Sequence, residues 1–338
     1  MSSSEAEPIS SKKGAIIGWT IVSILCSSLF LWLTFVYIYD DQVAVLFKEV
    51  SLRLQCESDL LYIALCSFIV LSLRAWRLTL LVEGLSLHKA FNISASHNAL
   101  TRILPFRVGE LSLPVLLSRH TRISLLEGGM LMLWLRLLEI VCLAPFLLLC
   151  FLLTFGETMP LSWLSIEQIS PAILLFVLSG FVIYALQPIT TSVLHGLLNI
   201  SKRFAALHTL KQKLELLSSQ TSDESPKNVI GAGLLTSLIL CAQATLFLFM
   251  IRLSGGELPW GTVGFGSAVV HIAGVIPAPT VGNIGTHELG WTLIYSKLGL
   301  ENTIALTSAT LSQWITMILA MLWASMFMVY SLCLRMRP

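Results

Sequence analysis

Charged side chains are scarce in this sequence, and their scarcity excludes several classes of protein. Asp, Glu, Lys and Arg make up 12% of the 338 residues, whereas they form about one quarter of an ordinary soluble domain. The formal net charge is only +2, which argues against nucleic acid as a partner. Hydrophobic residues account for 55% of the chain. The composition therefore predicts a polytopic membrane protein.

The sequence also lacks the patterns of metal, disulfide and catalytic sites. Cysteines stand in apolar runs, apart from Cys56 in a loop, and no CxxC pair occurs. The segment THELG has a His-Glu pair but no second histidine at the HExxH spacing, and no Gly-x-Ser-x-Gly is found. We therefore expect no metal and no cofactor, and the chain is not predicted to be an enzyme.

Long apolar runs predict six membrane-spanning helices, because about 20 apolar residues cross the ~30 Å hydrocarbon core. The first run is interpreted as a retained span and not as a signal peptide, since no small-residue cleavage site follows it. Two further intervals, 87–119 and 258–298, are apolar but broken near their middle by Pro and Gly. The predicted spans are 14–38, 59–81, 123–153, 171–187, 229–251 and 303–333.

Lysine and arginine predict the orientation, because short cytoplasmic loops carry an excess of both. With the N-terminus inside, the outer side receives only Lys48, Arg53, Arg252 and Lys297, and all other basic loops are cytoplasmic. Both termini are therefore expected in the cytoplasm. Under this topology, the first broken interval enters the membrane from the cytoplasm and the second enters it from outside.

The two broken intervals are accordingly predicted to be re-entrant helical hairpins of opposite orientation. Residues 59–153 and 229–333 would form two equivalent units within one membrane domain, the second unit inverted. Both tips, ILPFRVGEL and IPAPTVGNIGTHEL, run from Pro to Gly and then to Glu-Leu. This arrangement is typical of inverted-repeat transporters, whose sites lie between broken helices near the midplane. The alternative is that both intervals are full spans with kinks.

Proline and glycine are expected to make the turns at the hairpin tips, because they end helices and allow sharp bends. Ser112 and Thr286 are expected to cap the returning half-helices, whose N-termini favour anions. The predicted turn residues are Pro105 and Gly109 in the first hairpin, and Pro277, Pro279, Gly282 and Gly285 in the second.

Between the two units, residues 189–217 mix Leu and Ile with four basic side chains. This pattern predicts an amphipathic helix on the inner membrane surface, and a helix in a solvated loop is the alternative. The Ser-rich stretch 218–227 is interpreted as a flexible linker. The basic side chains are Lys202, Arg203, Lys211 and Lys213.

From about the second span to its end, the sequence resembles the lysylphosphatidylglycerol synthase transmembrane (flippase-like) family, the membrane part of bacterial multiple peptide resistance factors. LRAWRLTLL is similar to the family's Leu-Arg-Trp stretch, and LPFRVGELSLPVLLSRHTRIS to its Pro-x-Arg-x-Gly-Glu segment. PAPTVGNIGTHELG is similar to its Pro-x-x-x-Gly-x-x-Gly-x-x-Glu segment. WLRLLE departs from the usual Glu-Arg-x-x-Asp at Leu135 and Glu139, and His287 stands where Arg is common.

The resemblance implies a lipid transporter of the bacterial inner membrane that translocates an anionic phospholipid or a polyprenyl-linked or other amphipathic headgroup. The alternative is a membrane-embedded partner or enzyme of a lipid or glycolipid modification pathway. Membrane lipids are the expected partners, and a homodimer or a lipid-modifying enzyme partner is compatible with the sequence. Because the chain ends at Pro338, we expect a stand-alone member without the aminoacyl-transferase domain.

Ionisable residues inside apolar segments are costly and are therefore candidate functional residues. Arg107, Glu110 and Glu288 are expected to converge in one polar cavity near the midplane, with an Arg136–Glu139 pair beside it. The structural alternatives are a braced loop for Arg107 and Glu110, a helix-terminal acid for Glu288, and a hydrogen-bonding histidine for His287. The substrate-binding candidates are Arg107, Glu110, Arg136, Glu139, Asn283, His287 and Glu288. Arg74, Arg77 and Arg102 are candidate headgroup contacts, with snorkelling to the lipid headgroups as the default for Arg74 and Arg77.

The predicted topology is testable by cysteine accessibility. We expect Pro160→Cys to react with an impermeant reagent from outside the cell, and Ser222→Cys to react only after permeabilisation. Both changes are made in a background without other cysteines, and permeabilised cells serve as the control for reactivity. Labelling of both positions from the same side would refute the inverted arrangement.

Overall fold

The computed structural model describes residues 57–104, 108–155, 226–273, 280 and 283–335. Within these ranges the chain is all α-helical and contains no strand. The predicted spans 14–38 and 171–187, the amphipathic segment 189–217 and most of the linker lie outside the described residues. The described helices are α1 Glu57–Leu81, α2 Leu87–Ile103, a 3-10 helix Val108–Leu111, α3 Ser112–His120, α4 Leu125–Phe155, α5 Pro226–Leu253, α6 Trp260–Ala273, α7 Thr286–Lys297 and α8 Asn302–Arg335.

Four of these helices are long and apolar enough to cross a membrane. They are Ser58–Leu81, Leu125–Thr154, Asn228–Leu253 and Asn302–Cys333, and they coincide closely with four of the predicted spans. Large apolar side chains stay exposed along them, including Trp314, Ile318 and Met328 on α8. A helix with such faces is suited to lipid and not to water. The protein is therefore an integral membrane protein.

Both broken intervals form pairs of short helices. α2 has 17 residues and α3 has 9, while α6 has 14 and α7 has 12. Each is shorter than the ~20 residues that a full crossing requires. The break that Pro and Gly predict near the middle of each interval is therefore confirmed.

The helices of the two halves pack against each other in an exchanged pattern. α1 lies along α5, α2 packs against α8, and α6 packs against α4. Within each half, the second short helix packs against the following long one, α3 against α4 and α7 against α8. Asn92 Nδ2 donates to Ser331 Oγ at 2.9 Å, and the rings of Phe91 and Phe327 stack with centroids 4.9 Å apart. Each half thus completes the packing of the other.

Two buried aromatic side chains fix the position of α7. Trp291 and Tyr295 are fully buried and their ring centroids are 4.6 Å apart. The Tyr295 hydroxyl donates to the Val263 carbonyl oxygen at 2.8 Å, and Trp291 Nε1 donates to Ser308 Oγ at 2.9 Å. Because buried polar tips need partners, these bonds fix the orientation of α7 against α6 and α8.

The predicted helix caps are wrong. Ser112 is the first residue of α3, and the cap position is taken by Leu111, whose φ of −66° and ψ of −10° continue the preceding 3-10 turn. A side-chain cap needs extended backbone at the cap position. Ser112 lies inside the helix, and its Oγ is 2.8 Å from His97 Nδ1. At α7 the cap residue is Gly285, and Thr286 donates to the Asn283 carbonyl oxygen at 3.0 Å.

Gly109 lies where the 3-10 helix crosses α2 at very close range. A Cβ atom at this position would collide with the Leu100 carbonyl oxygen and the Thr101 backbone. Only glycine allows this approach, which supports the predicted turn role of Gly109.

Replacing Gly109 with Ala should therefore lower the stability of the folded protein, by about 1–3 kcal/mol for overpacking against backbone. The matched control is Gly129→Ala in α4, where a Cβ meets nothing within 4 Å. The control should be neutral or stabilising by up to ~1 kcal/mol, since Ala is the better helix former. Thermal unfolding in detergent measures both, and equal midpoints for the two variants would contradict the close contact.

Candidate functional site

A polar cavity of about 310 Å³ lies among the helices, and all four long helices and both broken intervals contribute to its walls. Its volume is at the lower end of the range of small-molecule sites, roughly 300–1,000 Å³. Ionisable groups within membrane helices are costly and are usually retained for function. In the described part of the chain, the ionisable side chains that line it are Arg74, Arg77, His97, Arg102, Glu110, Arg136, Glu139, His271 and His287.

Four of these residues form a continuous series of ion pairs, which we call the charge chain. Glu139 lies at its centre, with Oε1 3.0 Å from Arg77 Nη2 and Oε2 2.9 Å from Arg136 Nη1. Arg136 Nη2 is in turn 2.9 Å from Glu110 Oε1. The charge chain therefore joins α1, α4 and the 3-10 helix. It includes the i,i+3 pair of Arg136 and Glu139 that the sequence predicts.

Arg77 does not snorkel to the headgroups, which corrects the default expectation for this residue. It is only 5% exposed, and its Nη1 donates to Thr236 Oγ1 at 3.0 Å. The Thr236 hydroxyl donates to the Ala232 carbonyl oxygen, so its oxygen is free to accept. Glu139 and Thr236 thus hold both Nη atoms of Arg77 inside the bundle, whereas its buried Nε has no hydrogen-bond partner in the described structure.

The other two arginines of the cavity have much weaker protein contacts. Arg74 Nη1 lies 3.5 Å from Asn98 Oδ1, at the outer limit of a hydrogen bond. The Nε atom of Arg102 is buried and has no hydrogen-bond partner. Among the described residues, neither guanidinium forms an ion pair with a carboxylate. Their capacity to bind an anion is therefore unused by the described part of the protein.

Two cavity histidines bond to serines of neighbouring helices. His287 Nε2 lies 3.0 Å from Ser312 Oγ. Because the Ser312 hydroxyl donates to the Ala309 carbonyl oxygen, its oxygen accepts and His287 carries its proton on Nε2. His97 Nδ1 similarly lies 2.8 Å from Ser112 Oγ. His287 thus has the contacts of the hydrogen-bonding alternative while also lining the cavity.

His97 is a cavity residue that sequence reasoning missed. It lies on α2, whose polar residues Ser94, Asn98, Thr101 and Arg102 share its helical face. Their spacing of three and four residues is the signal of one side of a helix. Read in that way, the stretch SASHNALTR would have indicated a polar face that includes His97.

Glu288 is not among the described residues that line the cavity, and its expected convergence with Glu110 stays a prediction. Its side chain is 2% exposed, and its Oε2 accepts the Gly285 N–H at 2.6 Å. This is the helix-terminal alternative, in which the acid binds a free backbone donor in the first turn. Asn283, with a φ of 63°, lines the cavity beside this turn.

Five further candidates, Arg107 and the turn residues Pro105, Pro277, Pro279 and Gly282, lie outside the described residues. Their roles stay predictions. Gly285 is described, and its φ of 88° is one that glycine adopts readily, in agreement with a turn at this point.

The family model of the lysylphosphatidylglycerol synthase TM region matches residues 19–324, which is most of the chain and includes every residue of the cavity. No curated protein gives a significant match.

The charge chain should be essential for stability. We expect Glu139→Gln to destabilise the protein by about 3 kcal/mol, because it leaves a buried arginine without its counter-charge. The matched control is Glu257→Gln, at an exposed position. Replacing both partners, Arg77→Met with Glu139→Leu, should recover much of the loss, since no charge then remains unpaired.

Thermal unfolding of the three purified variants measures these effects. A Glu139→Gln protein as stable as the Glu257→Gln control would show that the ion pairs do not hold the helices together.

Proposed function

Since the chain belongs to the lysylphosphatidylglycerol synthase transmembrane family, we propose that it is a flippase-like transporter that moves an anionic lipid headgroup through the polar cavity. The headgroup would be that of an anionic phospholipid or of a polyprenyl-linked or other amphipathic lipid in a bacterial inner membrane. Its acyl or prenyl tails would remain in the bilayer. The observation that carries the proposal is the arginine-rich cavity between membrane helices.

The charge of the cavity favours an anionic cargo. Among the described residues, four arginines and two glutamates line it, which leaves an excess of two positive charges when the histidines are neutral. Burying like charges in a medium of low polarity is unfavourable unless a counter-charge is present. A negatively charged headgroup supplies that counter-charge.

The packing supports two equivalent units, and we place them in an inverted arrangement with six spans and two re-entrant hairpins. When α1–α4 are matched with α5–α8 in order, the contact of α2 with α8 corresponds to that of α6 with α4. The contacts of α3 with α4 and of α7 with α8 correspond as well. Transport in such folds is a rocking of one unit against the other around a central site.

The charge chain offers a route by which binding moves the first hairpin tip. Glu110 belongs to the 3-10 helix and holds it to Arg136 of α4. The Arg136 side chain is 41% exposed, so an incoming headgroup can reach it. An anion that binds Arg136 competes with Glu110 and weakens this link between the tip and α4. The headgroup thus has different affinities for the two positions of the tip, which is what coupling requires.

Reconstitution into liposomes tests the proposal. Phosphatidylglycerol labelled on an acyl chain is placed in one leaflet, and its arrival in the other is followed by quenching. We expect Arg136→Gln to slow translocation about tenfold or more, because it removes charge-assisted hydrogen bonds. Arg119→Gln is the matched control, since Arg119 is exposed at the end of α3.

Two results would contradict this function. Lipid movement by the unaltered protein no faster than in protein-free liposomes would favour the alternative, a partner or enzyme of lipid modification. Equal slowing by both arginine variants would remove the cavity from the transport route.

A further inference from the structure

We infer that Arg74 and Arg102 form a subsite for a phosphate group that carries two negative charges, a phosphomonoester or a diphosphate. The subsite follows from the charges of the cavity. That the phosphate belongs to a lipid rests on the proposed function.

The charge chain is electrically balanced within itself. Arg77 and Arg136 are matched by Glu110 and Glu139, and both oxygens of Glu139 are bonded to arginine. These four residues therefore add no net charge to the cavity. The excess of positive charge resides on Arg74 and Arg102.

Arg74 and Arg102 carry this excess of positive charge within the same cavity. Arg74 Nη1 lies 3.5 Å from Asn98 Oδ1, and Arg102 follows Asn98 by one helical turn on α2, so the two positive charges lie on the same side of the cavity and repel one another. The described lining offers them no carboxylate of their own, and the Arg102 Nε donor is buried without a partner. An anion placed between them relieves the repulsion and satisfies the donor.

Asn98 offers a further hydrogen-bond donor beside the two arginines. The Asn98 oxygen faces Arg74 at 3.5 Å, which leaves the Asn98 amide hydrogens to donate to a bound anion. The chain segments that fall between the described parts of the hairpins, 105–107, 274–279 and 281–282, contain no Asp or Glu but do contain Arg107.

The charge of the two arginines distinguishes between classes of phosphate group. A phosphomonoester carries about −1.5 to −2 charges at pH 7, whereas a phosphodiester carries about −1. Each guanidinium can bind two phosphate oxygens. Two guanidiniums together therefore match a phosphate with two negative charges better than one with a single negative charge. A headgroup with an added ammonium meets no carboxylate in the described lining that is not already bonded to arginine. The subsite should therefore select against aminoacylated and choline headgroups.

Binding to the purified full chain in detergent tests this inference. The probes are dioctanoyl phosphatidic acid, dioctanoyl phosphatidylglycerol, dioctanoyl phosphatidylcholine, inorganic phosphate and pyrophosphate. We expect phosphatidic acid to bind at least about tenfold more tightly than phosphatidylglycerol, which corresponds to about 1.4 kcal/mol. Phosphatidylcholine should bind most weakly. Equal affinity for the first two lipids would overturn the inference without the need for a variant.

Variants locate the preference. Arg102→Gln should reduce it to about twofold or less, and Arg102→Lys should keep part of it, because an ammonium retains the charge but not the fork. Arg119→Gln should leave it unchanged. Thermal unfolding confirms that each variant is folded, and a folded Arg102→Gln protein that retains the full preference would refute the subsite.

The panel also separates the sources of phosphate. Phosphatidic acid binding more tightly than inorganic phosphate and pyrophosphate assigns the subsite to a lipid headgroup, whereas equal affinities assign it to a soluble phosphate. A preference that depends on Arg102, without lipid translocation, supports the subsite and contradicts the proposed function. Translocation without any preference for the doubly charged group supports the function and contradicts the subsite.

Discussion

The structure depends on one carboxylate that serves two arginines at once. Glu139 binds Arg77 of α1 through one oxygen and Arg136 of its own helix through the other. A single charge buried among membrane helices costs several kcal/mol, and the shared carboxylate spreads that cost over three groups with matched geometry. Because Arg136 also binds Glu110, the position of the 3-10 helix before α3 depends on this centre as well. Stability and the shape of the cavity thus have the same origin.

The arginines of the cavity are divided between two tasks. Arg77 and Arg136 have carboxylate partners, and their charges are used to hold helices together. Arg74 and Arg102 have only a long contact to Asn98 and an unbonded donor between them in the described structure. Both pairs line the same cavity. Arg77 and Arg136 hold the helices that form its walls, and Arg74 and Arg102 are the arginines left to bind an anion.

Local sequence patterns predict the fold well and the site only in part. Hydropathy locates α1, α4, α5 and α8, and Pro and Gly locate the breaks, because both signals depend on neighbouring residues alone. The pairing of Arg136 with Glu139 follows from helical spacing. The pairing of Arg77 with Glu139 does not, since 62 residues separate them and only the packing of α1 brings them together. The caps fail for a related reason: the 3-10 turn before α3 leaves no extended residue to act as one.

The packing of α2 against α8 has a consequence for folding during synthesis of the chain. Asn92 of α2 finds its partner in Ser331 of α8, 239 residues later in the chain. At about 5–20 residues per second, roughly 10 to 50 s pass between the synthesis of the two. During that interval α2 lacks the helix that packs against it in the folded protein. The first half must wait for the last helix to emerge, and a chain truncated before α8 would present an unfinished surface to membrane proteases.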